Sequence, residues 1–537
     1  MHDLAGRAFR GRPVRRRFLG SAAGLVGTAA LGLATSGCDE QTGAATRSSA
    51  ARSAALERNR PGTAQWRLGR QGPQEAIEGY ADRASVLPGE EVRLFVSTLA
   101  GAFRVTAYRV GWYRGKQARR VWRSRPVTGR RQKGPDFDTR TRTVATDWEP
   151  SVRISTQGWP EGAYLLVLDA DSGHQRYVPL VVRSAAAKGR TVLVHATATW
   201  QAYNRWGGYN LYTGKDGGYQ DRSLAVSFDR PYDKDGAEKF MYYERPLVVL
   251  AERVGIPLAY TTGLDISADP GVLRGATSIV SLGHDEYWTP QQRRHITAAR
   301  DQGTNIAFLG ANTCFRRIRP ESSPLGRDRT VVCYKTDWHR DPVYPDRPSL
   351  VTTDYRVAPR PDPESSLTGV LYEGYPADAP FVVHQPDHWV FRGTGARKGD
   401  RFDHLVGVEY DRVTPEQDST PRPIEVVAHS PLVCNGRHTH ADAAYYTVDS
   451  GAGVFATGTM RWVESLMAGT PDGGGSHGMD ARTCRFVTKT TENLLRGFAR
   501  GPAARECGAA RDNVRQVYAD QPATGSTAGA SGSHAGV

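Results

Sequence analysis

The chain has 537 residues, 39% hydrophobic and 23% charged, with a formal net charge of +14. That length exceeds what one core comfortably fills, so two folded domains are expected. Six arginines against Asp3 put +5 of the charge in the first 38 residues, and the remaining +9 is scattered apart from an Arg-rich stretch between Arg114 and Arg142. With no zinc-finger spacing and no aromatic-basic pattern, nucleic acid is excluded as an expected partner and a solvated surface is the better reading.

Val14-Arg15-Arg16-Arg17-Phe18-Leu19-Gly20 resembles the twin-arginine export motif, and the weakly hydrophobic stretch from Leu19 to Gly37 suits a signal h-region. Residues 1–38 are therefore expected to be a signal peptide, with an extracellular or cell-surface destination. Ala34-Thr35-Ser36-Gly37-Cys38 has the small residues of a lipoprotein site, but Thr35 stands where such sites usually carry Leu, so lipidation of Cys38 stays open. No later stretch approaches the roughly 20 apolar residues of a membrane helix, which leaves a lipid anchor as the one expected membrane contact. Residues 39–62 read as a linker.

From 63 to 185 the signals are strands separated by Pro/Gly turns. Val92 to Val96, Phe103 to Trp112, Ala163 to Leu168 and Tyr177 to Val182 are the clearest, and Leu87-Pro88-Gly89-Glu90 and Trp159-Pro160-Glu161-Gly162 are the turns. This predicts an all-β, Ig-like β-sandwich domain. Over 186–505 the pattern changes to α/β. Short apolar runs at Thr191–Ala196, Pro257–Thr261, Ser278–Leu282 and Asn305–Leu309 alternate with helices at Arg245–Gly255 and Pro290–Gln302, which predicts an open, mainly parallel sheet. Thr289, Pro290 and Gln292 form a capping-box pattern. Val454 to Thr457 is expected to return to the sheet, Thr491 to Arg500 to close with a helix, and 506–537 to be a disordered tail.

Ligands of open parallel sheets bind beyond the carboxyl ends of the strands. Three such ends carry unusual clusters: Thr199 to Tyr212, Gly283-His284-Asp285-Glu286-Tyr287-Trp288, and Gly310-Ala311-Asn312-Thr313-Cys314. His284 and Glu286, two apart, project from one face of an extended segment. A carboxylate with phenolic oxygens makes a hard nest for Fe(III) or another Lewis acid. The same loops serve equally as helix caps and packing. A Gly-x-Ser-x-Gly elbow is absent, which argues against a serine hydrolase. Cys314 and Cys333, separated by a short loop, are the pair expected to form a disulfide. His438-Thr439-His440 reads as surface, and Gly207-Gly208 and Gly473-Gly474-Gly475 as flexible loops.

Thr199-Trp200-Gln201-Ala202-Tyr203-Asn204, Gly283 to Trp288 and Gly310 to Cys314 resemble the C-terminal domain of the large (beta) chain of N,N-dimethylformamidase and its bacterial relatives. Val226 to Pro231 and Gly451 to Gly458 support that resemblance, which spans about residues 70 to 500. It implies a glutamine-amidotransferase-like α/β fold and mononuclear iron held by two tyrosines and a glutamate. Carried over, Tyr203, Tyr209 and Glu286 are the ligands, with Tyr212 the near alternative to Tyr209, while His284 and Asn312 are the catalytic polar residues. The expected activity is hydrolysis of an amide C–N bond in a small molecule. The competing expectation is a non-catalytic carbohydrate- or polymer-binding protein, with Trp200, Trp206 and Trp288 stacking on the ligand. Nothing in the sequence speaks to oligomeric state.

Overall fold

The computed structural model describes residues 56–470 and 476–519. The signal peptide, Cys38, most of the linker, Gly473-Gly474-Gly475 and the last 18 residues lie outside them. Among the described residues no helix is long and apolar enough to cross a membrane.

Two sheets, antiparallel except where Ser85–Val86 pairs parallel with Gln175–Val182, form the front of the chain. One carries Ile77–Ala81, Glu91–Thr98 and Val152–Ser155 in that order. The other runs Ser85–Val86, Gln175–Val182, Gly162–Ala170, Ala102–Val110 and Ala118–Arg123, with Val127–Thr128 pairing beside Ala102–Val110. Their inward residues, among them Ile77, Leu94, Val105, Leu166 and Leu180, close one apolar core. Alternating apolar positions bring this about, because every second side chain of a strand faces the same way. The segment expected as linker is already anchored at its end: Glu57 is buried, accepting from the Tyr113 hydroxyl at 2.6 Å and pairing with Arg119 at 2.7 Å.

Behind them lies a seven-stranded sheet: β1 (Thr191–His195), β2 (Leu258–Thr262), β3 (Ser278–Ser281), β4 (Asn305–Phe308), β5 (Ile424–Cys434), β6 (Arg437–Thr447) and β7 (Gly453–Ala456). The spatial order is β2-β1-β3-β4-β7-β6-β5. The first five are parallel, and β6 and β5 are antiparallel. The parallel strands are buried end to end, which is why each reads as a short continuous apolar run. β5 and β6 join through Asn435-Gly436, whose φ values of 49° and 76° give the left-handed two-residue turn that a hairpin favours.

Helices α1 (Thr197–Tyr203), α2 (Arg245–Val254), α3 (Gly263–Ala268), α4 (Pro290–Asp301), α5 (Ala481–Phe498) and α6 (Val514–Tyr518) complete the elements used below. α2 ends at Gly255, φ 77°. α4 starts as expected on Thr289, which accepts from the Gln292 amide at 2.9 Å. The return half of that box is missing, because the Gln292 amide group packs against Gly263 instead. A full box stands on α3, from Thr262 and Asp265. α5 begins ten residues before the expected start. α6 corrects the tail: order continues through residue 519, with Val514 and Val517 buried.

Front and rear are joined by a buried ion pair, Arg109 Nη2 to Glu252 Oε1 at 2.6 Å, which the Tyr260 hydroxyl completes at 2.5 Å.

Candidate active site

α1, the loop after β3 and the loop after β4 meet beyond the carboxyl ends of the parallel strands. Glycine lets them close up. A Cβ on Gly310 would stand 1.6 Å from the Gly283 carbonyl oxygen, and Gly283 itself sits at φ 48° with its would-be Cβ 2.3 Å from the Tyr243 carbonyl. Glu244 is fully buried and holds the entry to α1. It accepts from the Ala196 amide at 3.0 Å and Trp200 Nε1 at 2.7 Å, and its other oxygen meets His195 Nδ1 at 2.5 Å. Thr199, one turn on, accepts from the Glu286 amide at 3.1 Å and ties α1 to the β3 loop.

Glu286 is the centre. Its Oε2 lies 2.8 Å from the Tyr203 hydroxyl, and the Tyr212 hydroxyl lies 2.6 and 2.8 Å from its two oxygens. The two phenol oxygens are 3.0 Å apart and their rings 4.6 Å, tilted 30°. The tyrosine that the structure brings beside Tyr203 and Glu286 is therefore Tyr212, the near alternative, and not Tyr209. The loop explains why. Asn210 donates to the Tyr203 carbonyl at 3.1 Å and accepts from the Tyr212 and Thr213 amides at 2.8 and 2.7 Å. Buried Arg230 donates to the carbonyls of Asn204, Trp206 and Tyr209. Pinned in this way, the chain turns back, so Tyr212 returns to Tyr203 while Tyr209 packs on Phe137 at 4.9 Å. Trp206 donates to Glu78 of the front sheet at 2.6 Å, so the front sheets hold this loop from behind.

Arg316 Nε approaches Glu286 Oε1 at 3.2 Å and is itself paired with Asp354. Lys335 is fully buried at φ 56°, its Nζ 3.2 Å from the Tyr212 ring centroid and without a hydrogen-bond partner among the described residues. His284 Nε2 stands 3.4 Å from Glu286 Oε2, and its Nδ1 is buried without a partner among the described residues. Asn312, at φ 59°, donates its amide to Asp411 at 2.8 Å and leaves its side-chain oxygen unpaired. Beside it lies Glu409, from the long strand Arg401–Arg412 that pairs with Leu371–Val382.

Burial alone would raise the Glu286 carboxyl, but His284, Arg316 and Lys335 hold it well below the usual carboxylate range. Burial and Glu286 push both phenols well above their ordinary value. Burial also lowers His284, leaving a neutral imidazole. Glu409 moves the opposite way from Glu286, raised by burial and then by that neighbouring carboxylate. Two carboxyl groups pushed apart in this manner divide the roles of anion and proton carrier. Sequence reasoning missed Glu409 and Lys335, which lie on segments without a motif.

Other expectations fare differently. Cys314 and Cys333 are free, buried thiols in separate apolar clusters, so the expected disulfide is absent. Arg293 Nη1 contacts the Cys314 sulfur at 3.5 Å, and burial pushes that thiol up to about 12, which removes it as a nucleophile. All three tryptophans are buried, Trp206 packing on Trp148 and Trp288 on Phe308. Trp200 lines a cleft with Tyr203, Tyr232 and Lys239. His438 is exposed, as read, but His440 is buried with His429 and Asp442 in a group able to hold a metal ion.

No curated protein sequence matches the chain. A solved Paenibacillus sp. cycloisomaltooligosaccharide glucanotransferase, complexed with cycloisomaltoheptaose, is similar at 14% identity and a TM-score of 0.14. That likeness covers 24% of this chain and 17% of the other, and it carries no inference of fold or ligand. The family described as N,N-dimethylformamidase beta subunit-like, C-terminal matches residues 104–476, from the strand Ala102–Val110 to beyond β7. This is well over half of the chain and includes every residue of the Glu286 site, so the protein belongs to the N,N-dimethylformamidase beta subunit-like, C-terminal family.

Proposed function

We propose that the protein hydrolyses an amide C–N bond at the Glu286 site, giving an amine and a carboxylic acid, with mononuclear iron held by Tyr203, Tyr212 and Glu286. One observation carries the reading: two phenol hydroxyls and a carboxylate converge within 3.0 Å, ringed by buried polar atoms of His284, Asn312 and Glu409 that have no partner among the described residues. Buried polar groups without partners are costly, so such a ring marks a place built for something else. An all-oxygen donor set fits a hard cation such as Fe(III).

When bound there, iron supplies Lewis acidity toward an amide carbonyl oxygen. The protein's own groups supply the rest. His284, held in the neutral form by burial, takes a proton from the attacking water at its free Nδ1. Glu409, kept protonated by burial and Glu286, returns a proton to the departing amine nitrogen. Asn312 aligns Glu409 and, through its free carbonyl oxygen, the substrate or water. In the same reading the front sheets are an Ig-like sandwich, the rear sheet is a glutamine-amidotransferase-like scaffold, and the chain is exported by the twin-arginine route, which passes folded proteins.

The test is metal analysis of the purified protein with a tyrosinate-to-iron absorption band as readout, together with amine release from N,N-dialkylformamides. Iron, band and amine release should all disappear in Glu286→Ala. A protein without iron that still releases amine, or an unchanged Glu286→Ala, would sink the proposal.

A further inference from the structure

A second cluster lies at the far edge of the rear sheet, on β5 and β6. His429 stands directly opposite Asp442 in the hairpin register, and His440 is two residues before Asp442, so all three side chains share one face. One donor atom from each lies within 4.8 Å of the others. His429 Nδ1 meets Asp442 Oδ1 at 2.7 Å, and the two imidazole rings are 4.6 Å apart. The Tyr518 hydroxyl, from α6, lies 2.6 Å from Asp442 Oδ2 and 2.9 Å from His440 Nε2.

The surroundings of Asp442 and the tautomer of His440 both suit a cation. Asp442 is fully buried, and among the described residues no arginine or lysine pairs with it; its partners are imidazoles, Tyr518 and the Val413 amide. Arg412, the cation whose charge reaches this cluster, is engaged by Glu373 and Glu416. If Tyr518 donates to Asp442 and accepts from His440 Nε2, then His440 Nδ1 is a bare lone pair. That atom is buried with no partner among the described residues.

We propose that His429, His440 and Asp442 bind one divalent transition-metal ion of the zinc class, and that Tyr518 orients two of these ligands and so fastens α6 to the sheet edge. Two imidazoles, a carboxylate and an open fourth position are an established zinc ligand set, and an outer group that fixes tautomer and carboxylate is its usual companion. Donor atoms around zinc stand about 3.4 Å apart, so closing from 4.8 Å asks for a small ring rotation. His429 keeps 12% of its side chain exposed, which leaves the ion a way in. Binding displaces the proton held between His429 and Asp442.

The experiment uses chelator-stripped full-length Glu286→Ala protein, so that the other site is disabled, titrated with Co²⁺ and Zn²⁺. One equivalent of Co²⁺ should bind with visible d–d bands, be displaced by Zn²⁺, and vanish when His440→Gln is added. Zn²⁺ should slow amide hydrogen exchange in residues 514–518 by about tenfold or more. Co²⁺ bands that persist in the H440Q background, or no binding in Glu286→Ala, would overturn the site. If the substituted chain fails to fold, the wild-type protein decides. Zn²⁺ should block carbethoxylation of His429, read by peptide mass, and unblocked modification at saturating Zn²⁺ overturns the proposal.

Discussion

Removing one hydroxyl at a time separates Tyr212 from Tyr209. In Tyr212→Phe the ring and its packing on Tyr203 remain, and only the oxygen lying 2.6 and 2.8 Å from Glu286 is lost. A hydrogen bond to a charged group contributes about 1.5–3 kcal/mol, and because Tyr203 and Arg316 still contact the carboxylate, the expected loss of stability is near 1.5 kcal/mol. The effect on the metal should be much larger. Loss of an outer-sphere partner already weakens a site by about 10–100-fold, and loss of a ligand should exceed about 100-fold. Tyr209→Phe removes an oxygen whose ring merely packs on Phe137, so stability should move by less than about 0.5 kcal/mol and the metal not at all. Bound iron, the tyrosinate band and urea denaturation of the apo-proteins measure all three. If Tyr209→Phe loses the band and Tyr212→Phe keeps it, the geometry of the Asn210 turn is wrong and so is the ligand assignment.

Further expectations concern the frame around the site. Glu252→Ala leaves the buried Arg109 guanidinium without its carboxylate and should cost about 3–5 kcal/mol in denaturant unfolding, whereas replacing both partners by apolar residues should cost much less. His388 is buried with neither nitrogen paired among the described residues, and burial lowers its pKa to about 3. The unfolded chain therefore binds the extra proton: stability from this group is full above pH 6.5 and falls as pH drops toward 3. At pH 5 the loss is about 2 kcal/mol, and His388→Phe should flatten the acid limb of a stability–pH curve by that amount. A slope identical to wild type would show that His388 finds a partner. Because Cys314 and Cys333 are free, a reducing agent should leave the melting temperature unchanged, and denatured, alkylated protein should carry a label on both; a reductant-dependent drop would restore the disulfide.

The parallel strands were legible because each is a continuous apolar run, and α2 and α4 because Gly255 and Thr289 punctuate them at the backbone. The convergence of Tyr203, His284, Glu286 and Asn312 followed from one topological rule about strand ends. What failed depended on side chains far apart in sequence. Tyr209 and Tyr212 differ only in where the Asn210 turn and Arg230 send the chain, and nothing local reports that. Glu409 lies 123 residues beyond Glu286 on a ribbon with bulged register, so no spacing could link them. The β5–β6 hairpin did carry a readable signal, Asn435-Gly436 between two apolar runs, and with it His429, His440 and Asp442 could have been placed on one face.

The two acidic centres differ in how their charge is balanced, and the proposed cations differ accordingly. Around Glu286 two basic side chains are already in place. Arg316 is shared with Asp354, but Lys335 is buried against the face of Tyr212 with no anion of its own among the described residues. Burial, and then Arg316, drive that ammonium well below its ordinary range. A phenolate at Tyr212 would give Lys335 the anion it lacks, and only a strongly polarising cation stabilises a phenolate at neutral pH in a buried site whose phenols otherwise hold their protons. Lysine and metal are then complementary. Each makes the deprotonated tyrosine more accessible to the other, which favours a trivalent ion among three anionic oxygens. Asp442 has no such lysine, only two imidazoles and the Tyr518 hydroxyl, so under the proposal above a divalent ion of the zinc class suffices there. Lys335→Met therefore discriminates: it should weaken iron at the Glu286 site and leave Co²⁺ at the Asp442 site untouched. Equal effects on both would mean that the lysine supports the fold rather than the phenolate.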